Sequence, residues 1–500
     1  MLDLAFTPDR RDGRPLYRQL GGYLRDLIEA DRLPAGGKLP ATRELAASLG
    51  LSRTTVSLAY DDLIAAGLLT AHVGQGTFVA SRPQRTSPRR PALAAVESRE
   101  FVWSGLLAAR ARALGVPGSL LPSGPEPPRF DFRGGQVDAE SLPVGELKRA
   151  FADAIGSQLA DIATTRDPRG WPPLRHAVAR YLVARGIACG PDEILIVNGG
   201  QHAIDLVARV LLDPGDTVVM EQPGYFGAAV AFVAAQAHLV GVRVDEQGLR
   251  VDELARILRA RRAKLVYTTP ASQSPTGAVL SDERRRQLLA LADDVQVPIF
   301  EDDYDSELRY EGAPIPALKT LDRAGQVIYA GTFSKVLFPT LRVGYVVAAA
   351  PLLQRMVLAR WNADVGTNAV AQAALVTLLE HGGLERHLRR VRKVYAARLA
   401  ALLAALESHM PDGVTWTRPR GGHGLWVTLP SIVDTDTLMR GASEASLAIV
   451  RGDAFYFDGR GRESLHLSFA AMPPAVIDEG TALLGQLIRV HTARRRRSAR

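Results

Sequence analysis

The sequence predicts a multidomain α/β protein: a small helical head closed by a hairpin, then a large body built on a parallel sheet. Three observations predict it. Five hundred residues exceed what one hydrophobic core organises, so two or three domains are expected. Residues 11–80 show helical apolar spacing and end in a glycine-centred turn. From 128 to 490, apolar β-rich runs alternate with long amphipathic stretches, the pattern of strand–helix–strand units.

In the head, Leu16, Leu20, Leu24, Leu27 and Ile28 share one face of a first helix, which PAGGKLP ends. ATRELAASLG is a short helix stopped by Gly50. Ser52 can cap the next helix, SRTTVSLAYDDLIAAG, which Gly67 stops. Its inner stripe is Val56, Tyr60, Leu63 and Ile64, while Arg53, Thr54, Thr55 and Ser57 gather at its outward N-terminal side. LLTAHVGQGTFVA reads as a hairpin turning at Gly74-Gln75-Gly76. This order is that of a winged helix-turn-helix, in which the helix starting at Arg53 enters a DNA major groove. Arg suits guanine edges and small hydroxyls suit phosphates.

Residues 81–127, from SRPQRTSPRRP to PSGPEPP, read as a linker with a short helix over 92–114. In the body, the predicted strands include ILIVNGG, TVVMEQPGY, AKLVYTTP, VPIFEDDYD and QVIYAGTFSK. The net charge of +8 is unevenly placed: residues 1–80 are neutral overall, 81–120 carry +5, the tail 491–500 carries +5, and 121–490 carry −2. The basic excess therefore sits in the linker and tail, not in the predicted DNA reader. The single cysteine, Cys189, excludes a disulfide framework and fits a reducing, cytoplasmic setting. MLDLAFTPDRR lacks the apolar core of a secretion signal, and no run of about 18 uncharged apolar residues predicts a membrane span.

The strongest chemical signal is GTFSKVLFPTLRVGY, residues 331–345. Lys335 at a strand end can form a Schiff base with an aldehyde, which requires a lowered amine pKa. Thr332, Ser334 and Arg342 can hold a phosphate dianion. Upstream, Asp302, Asp303 and Tyr304 end an apolar strand. A carboxylate there can pair with a pyridinium nitrogen, and a Tyr can bond a ring hydroxyl. Gly199, Gly200 and Gln201 stand where a strand hands over to a helix, a setting in which backbone amides bind phosphate. Tyr225 in QPGYFG can stack on a ring. No His or further acid is spaced to make a metal site with the three acids.

PLYRQL, LPATRELAASLGLSRTTVSLAYDDL and GQGTFVA closely resemble the DNA-binding domain of GntR-type regulators. The resemblance implies that Arg43, Ser52, Arg53, Thr54, Thr55 and Gly76 lie at the DNA. Ala41 departs from it, standing where such sequences often have a capping Ser ahead of Glu44. Residues 128–490, with RGWPPLRHAVARYLVARG and SPTG (274–277), resemble a fold-type I pyridoxal 5'-phosphate (PLP) aminotransferase, with a large parallel-sheet domain and a smaller C-terminal α/β domain. Lys335 then corresponds to the Schiff-base lysine, Asp302 rather than Asp303 to the pyridine partner, and Tyr304 to the ring-hydroxyl partner. Head, linker and body together resemble the MocR/GabR regulators. That implies a head-to-tail homodimer binding a double-stranded DNA operator, with the body as a sensor of PLP, an amine or an amino acid.

Two departures bear on function. His466 in ESLHLSFA stands where the family has an Arg that grips an α-carboxylate, so it marks the effector position. Ser272 and Ser274 stand where the family often has a His and where aminotransferases have an Asn. Either a protonated His466 or another Arg, such as Arg451 or Arg462, can stand in for the missing clamp. The expected function is PLP-dependent regulation of vitamin B6 or amino-acid metabolism genes. A working aminotransferase with a DNA tether and a constitutive DNA-binding scaffold are the alternatives.

Overall fold

The structure, a computed structural model, describes residues 6–8, 15–30, 32–72, 76–80, 106–112, 114–115 and 127–498, with side chains in the last helix followed to Val490. The predicted turn at 74–75 and most of the 92–114 helix lie outside the described residues, of which Ala109–Arg112 is helical. The chain divides into two units, Met1–Gly105 and Leu106–Arg500.

The first unit contains α1 (Leu16–Glu29), α2 (Thr42–Leu49) and α3 (Arg53–Ala65), then β1 (Leu69–His72) paired antiparallel with β2 (Gly76–Val79). Its core joins Leu20, Leu24, Leu45, Val56, Tyr60 and Leu63. The stripe read from the sequence is this buried face, with Ile64 half-buried at its edge. Tyr60 donates to the Pro40 carbonyl at 2.9 Å, tying α3 to the segment entering α2. Gly50 adopts φ 63° to end α2, a conformation that a β-carbon would strain. Glu44 accepts from the Ala41 amide at 3.3 Å, whereas Ala41 has no side-chain oxygen to return the bond.

The second unit carries β3 (Phe130–Asp131), β4 (Ile194–Val197), β5 (Thr217–Gln222), β6 (His238–Asp245), β7 (Gly248–Leu249), β8 (Leu265–Thr268), β9 (Ile299–Asp303), β10 (Val327–Thr332) and β11 (Gly344–Val347). There follow β12 (Thr415–Trp416), β13 (Gly424–Thr428), β14 (Leu447–Ala448), β15 (Val450–Arg451) and β16 (Ser464–Ser468). Eight strands form one sheet in the order β4-β11-β10-β9-β8-β5-β6-β7. All residues of β4, β8, β9 and β10 are buried, which is why these segments are mostly apolar runs rather than alternations.

The sheet is mixed rather than purely parallel. β11 runs antiparallel to both β10 and β4, and β7 is antiparallel to β6. The β10–β11 connection is too short for a helical crossover, so the chain must return antiparallel. A second sheet, β12-β13-β16-β15, is antiparallel throughout and belongs to the smaller C-terminal part. β4, β5, β8, β9 and β10 all point the same way, so their carboxyl ends lie along one edge of the large sheet. Ligands in open α/β folds bind at that edge.

Candidate cofactor site and nucleic-acid interface

β9 settles the choice among its acids by strand alternation. Asp302 is 6% exposed and accepts a 2.6 Å hydrogen bond from Tyr267 on β8. Asp303 faces the other way. It accepts from Tyr329 at 2.6 Å and lies 3.5 Å from Arg185. Burial pushes Asp302 up to about 7, against the Tyr267 bond, and the nearby Asp303, Asp305 and Glu221 charges raise it further. Asp302 has no ion-pair partner among the described residues.

At the end of β4, Gly199 adopts φ 79° and starts the helix Gly200–Leu211. The positive φ favours glycine, and a β-carbon on Gly199 would also crowd the Arg342 guanidinium at 3.1 Å. Arg342 donates to the Asn198 carbonyl from a left-handed backbone conformation, φ 54°. A β-carbon on Gly200 would lie 4.0 Å from Asp302, so the helix start faces that carboxylate. Gln201 donates to the Gly227 carbonyl at 2.7 Å and accepts from Tyr225 at 3.1 Å. Burial, with the Asp302 charge adding, pushes the Tyr225 phenol up to about 12, and Arg342 opposes the shift.

At the end of β10, Thr332 and Ser334 are buried and their hydroxyls lie 3.0 Å apart. Lys335 follows, half-buried, and its amine has no hydrogen bond or ion pair among the described residues. Burial lowers its pKa, while Asp305 and Asp302 pull it back up. Tyr304 is held well above the ordinary phenol range, by burial first and then by Asp305, with a Ser272 hydrogen bond opposing.

The carboxyl ends thus bring together the predicted Gly200, Gln201, Tyr225, Asp302, Tyr304, Thr332, Ser334, Lys335 and Arg342. His466 arrives from β16 in the second sheet, close enough for the Lys335 charge to lower its pKa. Burial is the larger cause and takes it to about 4, so the protonated alternative is not met. The two arginines named as substitutes are both paired with acids. Arg451 is held by Asp453 and Asp436, and Arg462 by Asp436.

The sequence reading missed Tyr267, His423 and Asp305. His423 lies 3.3 Å from Asp305 and 3.4 Å from the Lys335 carbonyl. A phenol inside the LVYT strand was the available signal for Tyr267. Nothing local marks His423, which reaches the site only because the second sheet folds over the first.

In the first unit, Arg43, Ser52, Arg53 and Thr54 are exposed and Thr55 half-buried. Ser52 accepts from the Thr55 amide at 3.1 Å, so it is the cap of α3. Arg53 and Thr54 therefore open the helix on its solvent side. Gly76 starts β2 with φ 116°, and a β-carbon there would lie 2.9 Å from the Lys38 side chain.

Two family descriptions match this chain: the gntR family of bacterial regulatory proteins over 16–79, and the class I and II aminotransferases over 132–483. The probable rhizopine catabolism regulatory protein MocR of Rhizobium meliloti is 33% identical over 474 residues, covering 94% of this chain and 93% of that protein. The chain belongs to the MocR-type regulators. It is a DNA-binding transcriptional regulator that carries a PLP-dependent, aminotransferase-like body. The transcriptional regulator TauR of Rhodobacter capsulatus is also 33% identical, over 95% of this chain. Among solved structures, the multiple substrate aminotransferase of Thermococcus profundus has TM-score 0.73 and 34% identity, over 78% of this chain and 99% of that one. The α-aminoadipate aminotransferase of Thermus thermophilus, complexed with N-(5'-phosphopyridoxyl)-L-leucine, has TM-score 0.72 and 33% identity, over 79% of this chain.

The residues present fit PLP. A sealed carboxylate without a cation, a guanidinium over a glycine turn and a free amine stand at one sheet edge. When bound, PLP supplies an aldehyde for an amine and a ring that draws electrons from it. Asp302 would face the ring nitrogen and Tyr304 the ring hydroxyl. Tyr225 would lie against the ring, and Thr332, Ser334, Arg342 and the Gly200–Gln201 amides would hold the phosphate.

Proposed function

We propose that this MocR-type regulator reads an amine, an amino acid or PLP itself at Lys335, and that occupancy there changes how its heads bind DNA. The free Lys335 amine, set against the buried Asp302 and Asp305, carries the reading. Asp302 would keep the ring nitrogen protonated, Tyr304 would hold the ring hydroxyl, and Arg342 with Thr332 and Ser334 would hold the phosphate. Arg43, Arg53, Thr54, Thr55 and Gly76 meet the operator, with Ser52 fixing the helix that presents them. Residues 11–80 form the reader, 81–127 the connector, 128–490 the sensor and dimerisation body, and 491–500 a basic tail. The protein acts in the cytoplasm as a homodimer, each head lying near its partner's body, on genes of vitamin B6 or amino-acid metabolism.

The competing reading is steady transamination. Ser274 and the neutral His466 speak against it, because each removes a group that a transaminase uses. The test follows two signals together: the absorbance of bound PLP, and the anisotropy of labelled promoter DNA as amines and amino acids are added. The reading expects both to move at the same ligand concentration, with no 2-oxo acid accumulating. Unchanged DNA affinity during a full spectral shift overturns it.

A further inference from the structure

If Arg342 meets the cofactor phosphate, as proposed above, something must hold it ready, because it is an exposed side chain with no ion pair among the described residues. We propose that Asp364 is the positioning residue for this phosphate contact and acts at one remove, through Asn198.

The chain leaves its sheet just before Asn198. β4 pairs with β11 only as far as Val197, and Gly199 follows with φ 79°. The Asn198 carbonyl that receives the Arg342 guanidinium therefore lies outside the ladder, beside the most permissive backbone of the turn. Two other bonds anchor Asn198. Its backbone amide donates to His202 Nδ1 at 3.1 Å, and its side-chain amide donates to Asp364. An Nδ1 that accepts carries no proton, so His202 is neutral and its 3.6 Å approach to Asp364 is not an ion pair. Burial lowers the His202 pKa in the same sense, against the pull of the Asp364 charge.

Asp364 stands 166 residues from Asn198 in the chain, as the last residue of the helix Ala350–Asp364. One turn earlier Arg360, 1% exposed, lies 3.5 Å from its other oxygen. Arg360 is itself fixed by the Pro168 carbonyl and, at 2.7 Å, by the Thr367 hydroxyl. Between Asp364 and Thr367 stands Val365, a β-branched residue at φ 61° and ψ −35°. That backbone is strained, and such strain persists only where the surroundings impose it. Here Arg360 and Thr367 hold the turn, and what the turn delivers is the Asp364 carboxylate at Asn198.

A long, exposed guanidinium loses rotamer freedom when it closes on an anion. Holding it beforehand removes part of that cost and aims its donors. The chain of contacts Arg360–Asp364–Asn198–Arg342 does this from behind the phosphate end, so its effect is confined to ligands that carry a phosphate.

The test titrates the cofactor-free full chain with PLP and with pyridoxal, which has the same ring and aldehyde but no phosphate. Quenching of tryptophan fluorescence reads both affinities. In Asp364→Ala the PLP affinity should fall about tenfold, the worth of one hydrogen bond to a charged group, while pyridoxal affinity stays within about twofold of wild type. Asp364→Asn keeps an oxygen for the Asn198 side chain and should recover most of the loss. Asn198→Ala keeps the carbonyl but drops the anchored side chain. It should show the same phosphate-selective loss, and it decides the matter if Asp364→Ala misfolds. Equal loss for both ligands, or no loss for either, overturns the inference. Selective loss of PLP in Arg342→Ala would then leave Arg342 as the phosphate residue. Absence of that loss in Arg342→Ala overturns the reading of Arg342 as well.

Discussion

Asp302→Asn should move two properties in opposite directions. In the cofactor-free protein the Asp302 carboxyl is raised from 3.8 to about 7 by burial and by neighbouring acids. A raised carboxyl favours folding fully below pH 4 and loses that contribution as pH rises through 7. Holding a carboxyl that far above its ordinary value is worth about 4 kcal/mol between its two protonation states. The Asn variant should therefore be more stable than wild type at pH 8 by up to about 4 kcal/mol, and the gain should vanish near pH 4. The Tyr267 hydroxyl keeps an oxygen acceptor in Asn, so the bond at 2.6 Å need not be lost. With PLP the sign reverses, because the carboxylate becomes one half of a buried ion pair. Removing one partner of such a pair costs about 3–5 kcal/mol, or roughly a hundredfold to several thousandfold in affinity. Four of the five tryptophans, Trp171, Trp361, Trp416 and Trp426, lie in the second unit, so fluorescence during urea unfolding reports mainly on it. PLP affinity is followed by the quenching of the same signal. Equal stability of variant and wild type at pH 8, together with undiminished PLP affinity, would refute the placement of Asp302 as a sealed, uncompensated acid.

Other perturbations separate the sites. Lys335→Ala should remove the covalent PLP band while breaking no hydrogen bond or ion pair among the described residues, leaving only the longer-range attraction of Asp305 and Asp302 to lose; absorbance and urea titration check this. Ser52→Ala should cost the head about 1 kcal/mol by freeing the Thr55 amide, measured as a lowered melting temperature of the head. Arg53→Ala should weaken promoter binding by about 1–3 kcal/mol and relax sequence preference, read by anisotropy against a scrambled duplex. Deleting 491–500 should lower affinity for both duplexes equally and flatten the salt dependence, because five arginines attract phosphate without reading bases.

Local signals carried much of the fold. Ser52, Gly50 and the Val56–Tyr60–Leu63 stripe mark the head without any tertiary information, because capping and helical periodicity act within a few residues. The strand-end positions of Lys335 and Asp302 are equally legible, because a buried strand is a short apolar run with its chemistry at its end. The antiparallel β11 was not, since direction depends on where the chain returns in space and not on composition.

Sequence alone determined the kind of protein: a DNA reader neutral overall, a basic linker, and a body with a lysine, a strand-end acid and a phosphate-binding turn. Tertiary structure decided what those groups experience. It turned Asp302 inward and Asp303 toward Arg185, because adjacent strand residues face opposite sides of a sheet. It committed Arg451 and Arg462 to acids and left His466 neutral among Phe455 and two glycines. Charge count is a property of the chain, but charge availability depends on burial and on partners distant in sequence, and those exist only once the two sheets have packed.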